Sequence, residues 1–241
     1  MSWKKVNRGT KNRQPYRETE ASPAVHNDGM AVERWTPERR RELTRTALIE
    51  AAAVVFARRG FYGASLDEIA ETAGFTRGAI YKNFDDKEGL FLTTIERHSQ
   101  LNLVAFGEWF EQRFEQGDGE ATLLDAEALA LAFRQILARD SDWFALDLEA
   151  RLYALRHPDF RERYVAAARQ MTEAVARLIE ELAAAASWQM TVPPDRLARM
   201  VEVASEGFLA WAFLDPDDGR LFQSFFELLL SAIVENGPAP G

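Results

Sequence analysis

The chain reads as an all-α protein, and three observations carry that expectation. Apolar residues recur at three- and four-residue spacing in segment after segment, no segment alternates with a period of two, and Gly, Pro and small polar residues stand where helices would begin and end. The 241 residues, 47% of them hydrophobic, suffice to bury a core in one or two domains. No apolar run approaches the roughly 20 residues a membrane helix needs. The first residues are polar and basic, without the apolar stretch of a secretory signal. There is no cysteine, which removes disulfides, thiolate metal sites and a cysteine nucleophile together. A cytoplasmic protein with no membrane partner, cofactor or metal is the expectation.

Residues 1–35 hold Lys4, Lys5, Arg8, Lys11, Arg13 and Arg17 among Gly, Pro and polar residues, and read as a flexible basic arm or a tail. Thr36-Pro37 is a helix start, with Pro at the first helical position. Leu48, Ala51, Ala52, Val55 and Phe56 then mark one face of a helix that stops at Gly60. Ser65 opens the next helix with Glu68 three residues on, the pattern of a capping box. Leu66, Ile69, Ala70 and Ala73 form its inner face, Gly74 ends it in a left-handed turn, and Phe75 is placed to plug the corner. Thr76 can cap a second short helix whose inward residues are Ile80 and Phe84. Asp85-Asp86-Lys87-Glu88 begins a long helix that runs toward Phe114 and ends near residues 117–119. Further helices are expected over about 122–139, 141–156 (broken by His157-Pro158), 158–187, 194–214 and 218–235.

Two short helices joined by a Gly-containing turn, residues 65–84, make a helix-turn-helix, whose second helix enters the DNA major groove. The formal net charge of −9 suits this once it is divided. Residues 1–92 hold 16 Lys+Arg against 13 Asp+Glu, a net of +3, and residues 93–241 carry a net of −12. One end can therefore meet phosphate while the other stays acidic.

The segment over about residues 42–98, "FARRGFYGAS" followed by "LDEIAETAGFTRGAIYKNFDDKEGLF", resembles the TetR family of transcriptional regulators. Asn83 departs from it, because family members very often carry His before the aromatic residue. The resemblance implies an all-α homodimer with a DNA-binding domain at 36–98 and an effector-binding and dimerisation domain at 99–241. It also implies a repressor released from a palindromic operator by a small molecule. Alternatives are a DNA-binding dimer that acts through protein partners without a ligand, and an activator.

With Ile80 and Phe84 inward, the helical rotation of 100° per residue turns Gly78, Ala79 and Lys82 away from the core. Arg77 is placed to pair with guanine or a phosphate, and Gly78 and Ala79 let the backbone approach the groove floor. Tyr81, Lys82 and Asn83 are candidates for phosphate contacts, as are Ser65 and Lys87 at the starts of flanking helices and Thr76 at the cap. In the second domain, Phe106, Trp109, Phe133, Trp143, Phe144, Tyr153 and Trp211 are candidate walls of a pocket for a hydrophobic or aromatic ligand. Leu197, Val201, Ala204 and Phe208, with Phe222, Phe226, Leu229 and Ile233, form stripes on the last two helices that suit pairing with a second copy as a four-helix bundle. Catalysis finds little support. His26, His98 and His157 lack metal-ligand spacing, and Asp140, Asp142, Asp147 and Glu149 read as solvated faces and caps. No phosphate loop or nucleophile elbow is present.

Overall fold

In a computed structural model of the chain, the residues described are 36–116, 125–138, 141–185, 188–215 and 220–233, without the side chains of 116, 232 and 233. The arm expected over 1–35 and the side chain of Ile233 therefore lie outside the described residues. All regular structure among them is helical: α1 Pro37–Gly63, α2 Leu66–Thr72, α3 Arg77–Asn83, α4 Lys87–Gln116, α5 Ala126–Leu137, α6 Ser141–Arg156, α7 Pro158–Ala185, α8 Pro194–Leu214 and α9 Arg220–Ile233.

Local signals set most of these bounds. α1 begins on Pro37 and does not stop at Gly60. It kinks there, at φ 69° and ψ 174°, and adds one more turn in which the Ala64 N–H donates to the Gly60 carbonyl at 3.2 Å. Ser65 Oγ accepts from the Glu68 N–H at 3.1 Å, so half of the expected capping box forms. The Glu68 carboxylate turns instead to Arg58 and Arg59, at 3.1 and 3.5 Å. α2 ends in a Schellman motif: Gly74 sits at φ 72°, the Phe75 N–H donates to the Ala70 carbonyl at 2.8 Å and the Gly74 N–H to that of Glu71 at 3.0 Å. Phe75 does not plug the corner and is 40% exposed. Thr76 holds the N-cap position of α3 with extended backbone, but its side chain makes no cap hydrogen bond. Asp86 starts α4 by accepting from the Gly89 N–H at 2.5 Å.

Two apolar clusters organise the molecule. The first joins Phe56 and Phe61 of α1, Ile69 of α2, Ile80 of α3 and Phe91 of α4 with Leu146, Ala150 and Tyr153 of α6 and Phe160 of α7. Ring centroids of Phe61 lie 4.6 Å from Phe91 and 4.7 Å from Tyr153. Each such side chain removed from water contributes about 1.5–3 kcal/mol. The helices that carry the helix-turn-helix are thus cored by α6 and α7, which belong to the later part of the chain. The second cluster joins Leu129 and Ala130 of α5, Leu209 of α8, and Phe222 and Phe226 of α9. α7 packs along α8, and α5 along α9.

The stripes assigned to pairing with a second copy are largely used within the chain. Leu197, Phe222 and Phe226 are buried, and Phe208 packs on the second cluster with Leu229. Val201 and Ala204 are half-buried. The reason is that α8 has two apolar faces, and periodicity identifies a face without saying what covers it. Met200, Val203, Gly207, Trp211 and Leu214, at steps of three and four, form its exposed row, and Leu228 of α9 is exposed as well.

Candidate functional site

α3 is a seven-residue helix held on one side by buried Ile80, with Phe84 buried immediately after it. Its opposite side presents Arg77, Gly78, Tyr81 and Lys82 to solvent. Arg77 Nη1 lies 3.0 Å from Asp67 Oδ2 of α2, and Nη2 donates to the Tyr81 hydroxyl at 3.0 Å. These two partners raise the guanidinium pKa, the Tyr81 bond most. Exposed pairs of this kind are weak in water, so a guanine or phosphate can compete for the fork. Tyr81 is 52% exposed and stands beside Arg77 on the same face. The C-terminal end of α3 is met by cations from α1, with Arg41 donating to the Lys82 carbonyl at 3.4 Å and Arg45 lying 4.8 Å from the Phe84 ring centroid. Sequence reasoning passed over Arg41 and Arg45, although the Arg39-Arg40-Arg41 run was a visible signal.

Four of the expected DNA contacts need correction or qualification. Ala79 is half-buried and packs on the first cluster, so its methyl is not free to face a groove. The Asn83 amide spends one N–H on the Ala79 carbonyl at 2.8 Å and its Oδ1 is buried, so a single N–H remains for a phosphate. Lys87 points inward: its Nζ donates to the Ala64 carbonyl at 2.6 Å and sits 4.7 Å from the Phe61 ring centroid, and burial lowers its pKa. It ties the start of α4 to the α1–α2 connector. Ser65 is exposed and engaged as the α2 cap.

A second site lies in the body of the molecule. A cavity of about 490 Å³ is bounded by α4 to α9, within the range of small-molecule sites. Of the seven candidate pocket walls, Phe106, Phe133, Trp143 and Phe144 line it. Trp109 packs on the second cluster, Tyr153 is in the first and 9% exposed, and Trp211 is 59% exposed on the outer row of α8. None of these three lines the cavity, whereas Leu197, Val201, Phe226 and Leu229 do.

The cavity also has a polar wall, which the sequence did not reveal. Asp147 and Arg151 of α6 are paired at 2.7 Å, Arg151 also pairs with Glu206 of α8, and Thr172 of α7 donates to Glu202 of α8 at 2.6 Å. Burial raises the Asp147 pKa even though Arg151 opposes it. Asp147 is therefore a cavity wall and not a solvated face. Glu149 is a cap, but one that acts across the structure: Oε2 accepts from the Phe61 N–H at 2.7 Å, just past the Gly60 kink.

α6 thus faces two ways. Asp147 and Arg151, four apart, look into the cavity, while Glu149 and Tyr153, also four apart and 200° around the helix, look toward the helix-turn-helix. Tyr153 donates to Glu88 Oε1 at 2.5 Å, and Arg163 of α7 holds Glu88 Oε2 at 2.8 Å and Asp86 at 3.5 Å. Burial first, then Glu88, pushes the Tyr153 pKa up to about 12. Among the described residues no cluster of His, Cys, Asp and Glu could hold a metal, and no helix is long and apolar enough to cross a membrane.

The helix-turn-helix and its flanks, residues 48–94, match the family model of bacterial regulatory proteins of the tetR family. The HTH-type transcriptional repressor AcnR of Corynebacterium diphtheriae is 28% identical over 170 residues, which cover 70% of this chain and 80% of that protein. The HTH-type transcriptional activator FasR of Mycolicibacterium smegmatis is 40% identical over 65 residues, 27% of this chain and 29% of its own. The crystal structure of a TetR-family regulator from Mesorhizobium loti superposes with a TM-score of 0.63 at 20% identity, covering 81% of this chain and 99% of that one. The shared fold, the matched segment and the exposed face of α3 agree: residues 48–94 form a tetR-family helix-turn-helix domain, and the chain is a DNA-binding regulator similar over most of its length to TetR-family transcriptional repressors.

Proposed function

We propose that this chain is a homodimeric repressor that binds a two-fold symmetric operator through α3 and leaves it when a small molecule fills the cavity. The observation that carries the reading is the two-faced α6. A ligand that displaces Asp147 or Arg151 moves the helix that also caps α1 through Glu149 and holds the start of α4 through Tyr153. Such a ligand shifts the protein between two arrangements by its differential affinity for them. The functional division falls at about residue 98, with 36–98 reading DNA and the helices beyond it sensing and pairing. An open cavity favours this sensor over a ligand-free DNA-binding dimer. Repression is favoured by the similarity to AcnR over 80% of that protein, while the shorter match to FasR keeps activation as the alternative output. DNA as target places the protein in the cytoplasm.

The second copy pairs through the exposed row Met200, Val203, Trp211 and Leu214, with Leu228. Two recognition helices must then meet half-sites roughly 34–36 Å apart. In the reading's DNA role, Arg77 reads a base, Tyr81 and Lys82 hold phosphates, and Gly78 permits close approach. The test is fluorescence anisotropy of a labelled duplex recovered by site selection, with sedimentation of the complex. Two chains per inverted repeat support the reading. One chain per site overturns it.

A further inference from the structure

The polar wall of the cavity carries more acid than base. Glu96, Asp147, Glu202 and Glu206 line it against two guanidinium groups, Arg151 and Arg199. Arg151 is held by both Asp147 and Glu206, and Arg199 lies 3.6 Å from Glu202. Both arginines are therefore already matched by carboxylates, and Arg45 of α1 acts on Glu96, which leaves one carboxylate in excess on a wall that is otherwise apolar and aromatic. The hydrogen-bond inventory points to the same place. Asn102 Oδ1, Arg151 Nε, Trp188 Nε1 and Ser205 Oγ are buried without a partner, and all four residues line this cavity. Orphaned polar atoms are normally rare, and four around one cavity mark where a bound molecule would supply the missing partners.

Taking the cavity as the effector site, a reading on which this rests, we infer that its ligand is an amphiphilic cation. Its apolar body lies against Phe106, Phe133 and Trp143, and its charged head stands among Glu96, Asp147, Glu202 and Glu206. An acceptor atom beside that head meets the free N–H groups of Arg151 and Trp188.

Charge decides among the alternatives. An anion would have to take Arg151 from Asp147 or Glu206, leaving that carboxylate buried and unpaired. A neutral molecule would exclude water from the wall without compensating its charge. Burial already raises the pKa of Asp147 and Glu96 despite the opposing pull of Arg151 and Arg45. A cation among these carboxylates offsets the cost of burying them.

The test uses a pair of ions of one shape and opposite charge, tetraphenylphosphonium and tetraphenylborate. Binding is followed by quenching of Trp143 and Trp188 fluorescence and by calorimetry, and release of a labelled selected duplex is followed by anisotropy. The phosphonium should bind at least about tenfold tighter than the borate, the contribution of one charge-assisted contact. The variants Glu202→Gln and Glu206→Gln should each erode that preference while the borate binds as well as before or better. A variant that merely misfolds would lose both ions, so the borate arm separates damage from lost charge. Equal binding, a preference for the borate, or a preference untouched by the glutamine variants overturns the cation inference and leaves the effector site standing. Binding of the phosphonium without release of DNA overturns the effector reading itself. Binding of neither ion overturns both.

Discussion

Replacing Gly60 by Ala tests the link between the cavity helix and the DNA-binding end. At φ 69° and ψ 174° Gly60 occupies backbone space that is essentially confined to glycine, and an L side chain there costs about 1–3 kcal/mol. A Cβ on Gly60 would also lie 2.6 Å from Glu149 Oε1, so the carboxylate must withdraw. That withdrawal weakens its bond to the Phe61 N–H, a charge-assisted bond of about 1.5–3 kcal/mol. Because strain and bond loss overlap, a destabilisation of roughly 3 kcal/mol is expected, or about 6–12 °C in Tm for a chain of this size. The assay is denaturant unfolding of Gly60→Ala, Glu149→Gln and the double variant, with Gly63→Ala as the control. Gly63 has room, since the nearest atom to an added Cβ is Arg59 Cβ at 3.5 Å. Gly60→Ala and Glu149→Gln should be non-additive, because both act on one bond. A Gly60→Ala variant as stable as Gly63→Ala would mean that neither backbone strain nor the Glu149 bond holds the kink.

Other expected outcomes concern the DNA face and pH. Arg77→Ala should lose about 1–3 kcal/mol of operator binding and relax base preference at one position, measured by anisotropy on single-base operator variants. Lys87→Ala should instead lower stability by about 1–2 kcal/mol through the lost bond to the Ala64 carbonyl, with the salt slope of DNA binding unchanged. Gly78→Ala has space in the protein, its Cβ lying 3.6 Å from Thr76 Oγ1, so unfolding should be unchanged or improved while operator affinity falls. Tyr153 is held with its pKa raised to about 12 against about 10 unfolded. The folded state keeps the proton longer, so this contribution is full below pH 10 and lost as pH rises toward 12. Unfolding of Tyr153→Phe followed across that window should show a flatter alkaline decline than wild type.

Local rules carried the helix boundaries. The Gly74 turn, the Ser65 cap and the Pro37 start each depend on a few neighbouring residues, and each formed as the sequence indicates. The exposed face of α3 was legible for the same reason, because Ile80 and Phe84 fix its rotation. What was not legible depended on partners far along the chain. Lys87 looks like any helix-start cation until the Ala64 carbonyl, 23 residues earlier, is folded against it. Asp147 and Glu149 are two apart in sequence and differ only in which neighbour covers their side of α6, cavity or helix-turn-helix. The apolar residues of α8 show the same limit: spacing sets Leu197 and Trp211 in one stripe, and the packing of α7 along α8 leaves the first buried and the second bare.

Whether a symmetric dimer reads DNA through α3 is decided by selecting binding sites from random duplex DNA at a stated salt concentration, with wild type and Arg77→Ala in parallel. An enriched inverted repeat whose half-site centres lie roughly 34–36 Å apart is expected, with one base position relaxed in the variant. Recovery of single unpaired half-sites, or of an identical motif from Arg77→Ala, would contradict it.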